Sequence, residues 1–338
     1  MTQNSPSQAA RPGPTPGRSH WIALRAILCV LVCWPAFAAG CSTVADPDQT
    51  CAAPPCGATT SCPPNRAAEC DDGNPCTEEV CGPKPSDCTH VPLTYEACCK
   101  ALDGTPGGPC HWQDAKGRLW GLVPGGTFQM GCNSSLDGNC FVDEKPQHPV
   151  TVSAPFWLSV YEVTVAQFAE CVADGACTLP DVLMKGSISC DDVAENNWSP
   201  AGPRPGREDH PVNCVTWDQA EAWCVWAGGH LPTEAQWELA ARGRCDENGG
   251  NEGCAQNMRI YPWGEAAPNC ANNAVFSGQE THGCDEGTTW QVGKGSAQGA
   301  GPYGHRDLAG NVWEWVWDYW DAGFYSKPGA TAADPKNV

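Results

Sequence analysis

Apolar residues recur along this chain with two different periods, and the points where each period starts and stops predict most of its regular elements. In WGLVPGGTFQMGC, Trp120 to Cys132, two short apolar runs flank a Gly-Gly pair, which predicts a strand, a turn and a second strand. PVTVSAPFWLSVYEVT, Pro149 to Thr164, alternates apolar and polar positions as half-buried strands do. The period then lengthens. A helix is expected from Thr164, with Val165, Phe168 and Ala169 on one face and Gly175 as its stop. In NCVTWDQAEAWCVWAGG, Thr216 and Gln219 have capping-box spacing, in which each side chain satisfies a backbone N–H at the helix start. Trp217, Ala220, Trp223, Cys224 and Ala227 then make a helical stripe closed by Gly228 and Gly229. LPTEAQWELAARG repeats the device: Thr233 with Gln236 caps, Trp237, Ala240 and Ala241 pack, and Gly243 terminates. Both stripes read as core. After Arg242 the chain is loop-rich, with few elements that patterning predicts.

Two upstream stretches break with this patterning. AILCVLVCWPAFAAG, Ala26 to Gly40, is a single apolar run behind Arg11, Arg18 and Arg25. It is short for a membrane span, contains Pro35, and suits the core of a signal peptide, so residues 1–40 read as an export signal. Ala36-Phe37-Ala38 suits a general signal peptidase, whereas Ala38-Ala39-Gly40-Cys41 resembles a bacterial lipobox with Ala38 where Leu is usual. The second reading, preferred here, makes Cys41 the lipidated first residue of an exported envelope protein that meets the membrane by its lipid anchor only. Without lipidation the chain is secreted. Residues 41–110 are dense in Cys, Pro, Asp and Thr with almost no apolar periodicity; such a stretch builds no ordinary core and needs disulfides to hold it. Within it, CDDGNPCTEEVCGPKPSDCTH, Cys70 to His90, resembles the Cys-rich DDGNPCT repeats of secreted proteins. Asp71, Asp72 and Asn74 read as a solvated turn there in preference to a calcium loop. Aromatic residues and ordinary alternation return in the third segment, 111–338.

Composition narrows the chemistry. With 338 residues, 41% of them hydrophobic, the chain can form one large domain or two ordinary ones. A formal net charge of -20, without clustered Lys and Arg, excludes nucleic acid as a partner and leaves metal cations as possible ligands. The 24 cysteines contain no C-x-x-C pair, so they read as disulfides of an oxidising compartment and not as zinc or iron-sulfur ligands. Four pairs stand at the ends of short Gly- or Asn-containing loops, where ring closure is entropically easy: Cys132 with Cys140, Cys171 with Cys177, Cys245 with Cys254, and Cys270 with Cys284. His148, His210, His230 and His305 are scattered and read as packed or exposed side chains. No G-x-S-x-G or zinc-protease helix occurs, and GKGSAQGAG, Gly293 to Gly301, lacks the setting of a phosphate-binding loop, so it reads as a surface loop.

Five blocks in order carry a family resemblance: GGTFQMG, EVTVAQF from Glu162, HPVNCVTWDQAEAWCVWAGGHLPTEAQWELAARG from His210, YPWG from Tyr261 and GHRDLAGNVWEW from Gly304. Over roughly Trp120 to Trp320 the chain resembles the formylglycine-generating enzyme family, also called sulfatase-modifying factor domains. The resemblance implies a single compact α+β domain, distantly related to the C-type lectin fold, loop-rich with few helices and short strands. It also implies structural calcium. The family's G-N-V-W-E-W segment binds the ion through main-chain carbonyls and the Glu, which carries over to Ala309, Gly310 and Val312 as carbonyl donors and Glu314 as carboxylate. A second family site maps onto Asn273 and Asp285.

Family enzymes oxidise a cysteine of a client sulfatase with molecular oxygen, using copper held by two cysteines that follow a later R-G-G-S-type block. This sequence reaches Val338 before such a block and its last cysteine is Cys284, so no catalytic residue is assigned and copper is expected only with further sequence. An iron-dependent branch of the family takes histidines from an added helical domain, and before Trp112 only His20, His90 and His111 occur, with no helical bundle. The expected function is therefore an exported, lipid-anchored domain of this family, not catalytic as given, with an unknown protein or glycan ligand. The alternatives are a fragment of an active copper-dependent oxidase that makes formylglycine, and a lectin-like ligand-binding module.

Overall fold

The structure, a computed structural model, describes residues 76–81, 88–102, 109–135, 137–138, 140–180, 196–199, 201–245, 259–271, 273–276, 283–294 and 298–338. Cys41 and Cys254 lie outside them. The first elements are a hairpin of β1 (Thr77–Cys81) and β2 (Cys88–Pro92), then α1 (Tyr95–Ala101), whose start is capped by Thr94 accepting from the Ala97 N–H at 3.2 Å. The vicinal pair in α1 bonds in opposite directions, Cys98 back to Cys76 and Cys99 forward to Cys110. These four cysteines and Tyr95 are buried in the same cluster as Trp120, Leu122 and Trp157.

The 111–160 region folds as two small sheets. β3 (His111–Gln113), β4 (Leu119–Val123) and β7 (Phe156–Ser159) form one antiparallel sheet in the order β3-β4-β7; β5 (Gly126–Met130) and β6 (His148–Val152) form the other. The two runs around the Gly-Gly pair are strands, but β4 and β5 do not pair with each other; Pro124 and Gly125 carry the chain from one sheet into the next. β7 departs from alternation too. Trp157 points into the first core cluster while Phe156 and Leu158 enter a second, with Val123, Phe128, Val150 and Val152, so this strand is buried on both faces.

All three predicted helices form: α2 (Val165–Ala173), α3 (Trp217–Trp226) and α4 (Glu234–Arg242). Each opens on a full capping box, Thr164 with Gln167, Thr216 with Gln219 and Thr233 with Gln236. Helices α2 and α3 bury Phe168 and Trp223 in the first cluster; α4 buries Ala235, Leu239 and Ala240 in the second. Trp217 is only half-buried, because its indole leaves the helix face to donate to the Val316 carbonyl at 2.8 Å and its ring packs on Trp317. Beyond α4 the described chain runs as ordered loops with two 3₁₀ turns, Phe324–Ser326 and Pro328–Thr331. The Gly-rich stretch is not wholly a surface loop. Gly299 is buried, and a Cβ there would come within 2.1 Å of the Asn273 carbonyl, so glycine lets two backbones touch.

Disulfides join Cys132 to Cys140, Cys171 to Cys177 and Cys270 to Cys284; Cys245 is also disulfide-bonded. Among the described residues no helix is long and apolar enough to cross a membrane.

Candidate metal centre

The loop from Asp307 to Glu314 is held by bonds to segments remote in sequence. The Arg306 N–H donates to Val160 O at 2.9 Å, which sets the loop against the stretch that enters α2. Asn311 adopts a left-handed φ of 62° and is tied through its amide and its whole side chain: its N–H donates to Val275 O at 2.7 Å, its Oδ1 accepts from the Trp290 N–H at 2.9 Å, and its Nδ2 donates to Glu162 Oε1 at 2.9 Å. Gly310 precedes it at φ 104°, and a Cβ would stand 2.0 Å from the Val275 carbonyl, so this close approach requires glycine. Asp307 Oδ2 accepts from the Gly293 N–H, and Glu314 Oε2 accepts from the Trp237 indole of α4.

Three carboxylates thus converge on one loop. Glu162, Asp307 and Glu314 are all buried, and Glu162 Oε2 has no hydrogen-bond partner. Burial holds the Glu162 carboxyl well above its ordinary range, with Asp307 and Glu314 adding repulsion. Glu314 is pushed up to about 8 by burial, against the Trp237 hydrogen bond and with Asp307. Neither Glu162 nor Glu314 takes part in an ion pair among the described residues. Burying carboxylates together without a cation is costly.

The carbonyls of Ala309, Gly310 and Val312 accept no hydrogen bond among the described residues. Several unclaimed oxygens beside a buried carboxylate suit a hard cation such as calcium, which takes six to eight oxygen ligands. The oxygens of the three acids do not all gather within 4.8 Å, so the acids alone make no shell. The group that does gather, Cys132, Cys140 and Glu144, offers no thiolate, because its two sulfurs are joined in a disulfide.

At the second expected site, Asn273 closes its own turn, its Oδ1 accepting from the Asn269 N–H at 2.6 Å. Asp285 is exposed at φ 69°, next to Cys284, whose bond to Cys270 holds the two segments side by side. Of the histidines, His305 is fully buried and driven down to about 3 by burial, with His111 adding to the effect, while exposed His230 lies 2.7 Å from Glu221.

Sequence reasoning missed Glu162 and Asp307 as members of the buried carboxyl cluster around the loop. The signal for Glu162 is its place in the apolar run before α2: a lone carboxylate among Val160, Val163 and Val165, all of them bound for the interior. Asp307 carries no comparable mark.

Comparison with known proteins gives this geometry a setting. Residues 114–332 match the family described as "Sulfatase-modifying factor enzyme 1-like domain". The chain is 34% identical over 255 residues to a formylglycine-generating enzyme of Thermomonospora curvata, covering 66% of this chain and 78% of that protein. It is 33% identical to a hercynine oxygenase of Mycolicibacterium smegmatis, covering 58% of this chain and 44% of that protein. It is also 33% identical to an inactive C-alpha-formylglycine-generating enzyme 2 of Bos taurus, covering 57% of this chain and 68% of that protein.

Proposed function

Because the chain belongs to the sulfatase-modifying factor family, we propose that it is an exported, lipid-anchored member whose domain is stiffened by disulfides and structural calcium and recognises a protein client without oxidising it. Family membership alone does not choose between oxidase and binding protein, since the relatives carry both enzyme names and the name "inactive". The state of the cysteines carries the reading. Among the described residues Cys224 stands outside any disulfide, and it is buried within α3. Copper(I) bound in the family's manner needs two thiolates side by side, and the described residues do not fit that requirement.

Calcium fits better. Glu314 and the carbonyls of Ala309, Gly310 and Val312 would hold it, with Asn273 and Asp285 as the second candidate pair. A bound ion supplies positive charge to buried carboxylates, and the protein's own residues do the rest: Asn311 fixes the loop and Trp237 orients Glu314. Recognition is supported by the same segment, where Trp313, Tyr319 and Trp320 are 46%, 76% and 62% exposed beside the rigid loop. Large aromatic rings on a fixed backbone bind at low entropic cost.

Native mass spectrometry of the mature chain exposed to calcium and copper(I) tests the metal assignment. Retention of calcium without copper is expected. Stoichiometric copper(I) on protein thiols would overturn it.

A further inference from the structure

We infer that Glu162, more than a hundred residues from the 307–314 loop in sequence, organises that loop for cation binding without being one of the ligands. The inference rests on the calcium reading above and names a residue that this reading does not need.

Two observations carry it. The first is positional. Glu162 Oε1 accepts from Asn311 Nδ2 at 2.9 Å, and Asn311 lies between two of the carbonyl donors, Gly310 and Val312. Held in a left-handed conformation that non-glycine residues rarely adopt, Asn311 aims both adjoining peptide planes, so the acceptor that anchors it also aims the carbonyls. The second observation is electrostatic. Glu162 is 1% exposed, its Oε2 is buried with no partner, and the charged groups it faces are the like charges of Asp307 and Glu314. Among the described residues Asn311 is the one side-chain donor it meets, and no basic side chain pairs with it. Glu162 is the third carboxyl group around the loop, and a divalent ion bound there would offset the charge of the three when ionised. Because the oxygens of the three acids do not all gather within 4.8 Å, Glu162 acts through Asn311 and through its charge.

Terbium(III), an oxygen-seeking stand-in for calcium, tests this without any assay of activity, because Trp237, bonded to Glu314, and the neighbouring Trp313 and Trp315 can sensitise its luminescence. The wild-type chain should show sensitised emission that calcium displaces. Glu162→Gln keeps an acceptor for Asn311 and removes only the charge; it should weaken terbium by roughly tenfold, and Glu162→Ala by roughly ten- to a hundredfold. Melting supplies the readout that a merely structural role would not move. In chelator Glu162→Gln should melt near the wild-type temperature, since it keeps the acceptor for Asn311, and in saturating calcium it should melt below it. Unchanged terbium affinity in both variants, or an equal drop in melting temperature with and without calcium, overturns the inference and leaves the calcium reading standing. A wild-type chain with no sensitised emission removes both.

Discussion

Stripping calcium from the folded chain should lower its melting temperature by roughly 5–10 °C and shift its tryptophan emission, and Glu314→Gln should abolish most of that chelator effect. Ion removal leaves the Glu314 carboxylate buried against Trp237 and beside the Asp307 carboxylate, with the carbonyls of Ala309, Gly310 and Val312 unclaimed. Glu314 is buried, Ala309 and Val312 are half-buried and Gly310 is exposed; a buried acceptor without its partner costs about 1–3 kcal/mol, so the loop should loosen to let water reach the carboxylate. A ligand that binds only the native state at about a hundred times its dissociation constant adds ~2.7 kcal/mol, and ~1 kcal/mol moves the midpoint of a domain of this size by about 2–4 °C. Trp313 and Trp315 flank Glu314, and Trp315 donates to Val215 O at 3.0 Å, so loop release reaches the fluorescence directly. Scanning calorimetry with calcium and with chelator checks the expectation. Superimposable melts would reduce Glu314 to a hydrogen-bonding loop residue.

The second large effect lies within α4. Glu238 and Arg242, one turn apart and both buried, pair at 2.6 Å; Glu238 Oε1 also accepts from the Gly131 N–H at 2.9 Å, and Arg242 donates to the Arg259 carbonyl at 2.8 Å. Glu238→Ala leaves a buried guanidinium without its counter-charge and an amide without its acceptor. Breaking a buried pair from one side costs about 3–5 kcal/mol. Replacing both residues by methionine removes the orphaned charge, so the double variant should lose less stability than Glu238→Ala. Urea unfolding measures both. A single variant within about 1 kcal/mol of the wild type would show that water reaches Arg242 and that the pair is not sealed.

What could be read from the sequence divides by the range of the interaction. Capping boxes are i to i+3 chemistry, so Thr216 with Gln219 and Thr233 with Gln236 marked their helices correctly. Gln167 completes a third box behind Thr164 with the same spacing. Strand pairing is decided by distant partners. Nothing local in WGLVPGG says that β4 pairs with β7 and β5 with β6, because that choice follows from which core each face enters. Likewise Gly299 is glycine because of Asn273, a neighbour in space and not in sequence. The metal centre shows both sides of this division. The carbonyl-bearing GNVWEW segment is contiguous and was legible, whereas Glu162 joins it only when the fold brings the entry to α2 against the loop, and the burial of a charge is not written in the residue that bears it.

Recognition of a client without its oxidation, the function proposed for this chain, can be tested directly by one assay. The mature protein, loaded with calcium, is incubated with copper(I), oxygen and a sulfatase-derived peptide that carries the client cysteine, and the peptide is followed by mass spectrometry while its binding is measured in parallel. A bound peptide with its cysteine intact is expected. Conversion of that cysteine to formylglycine would contradict it.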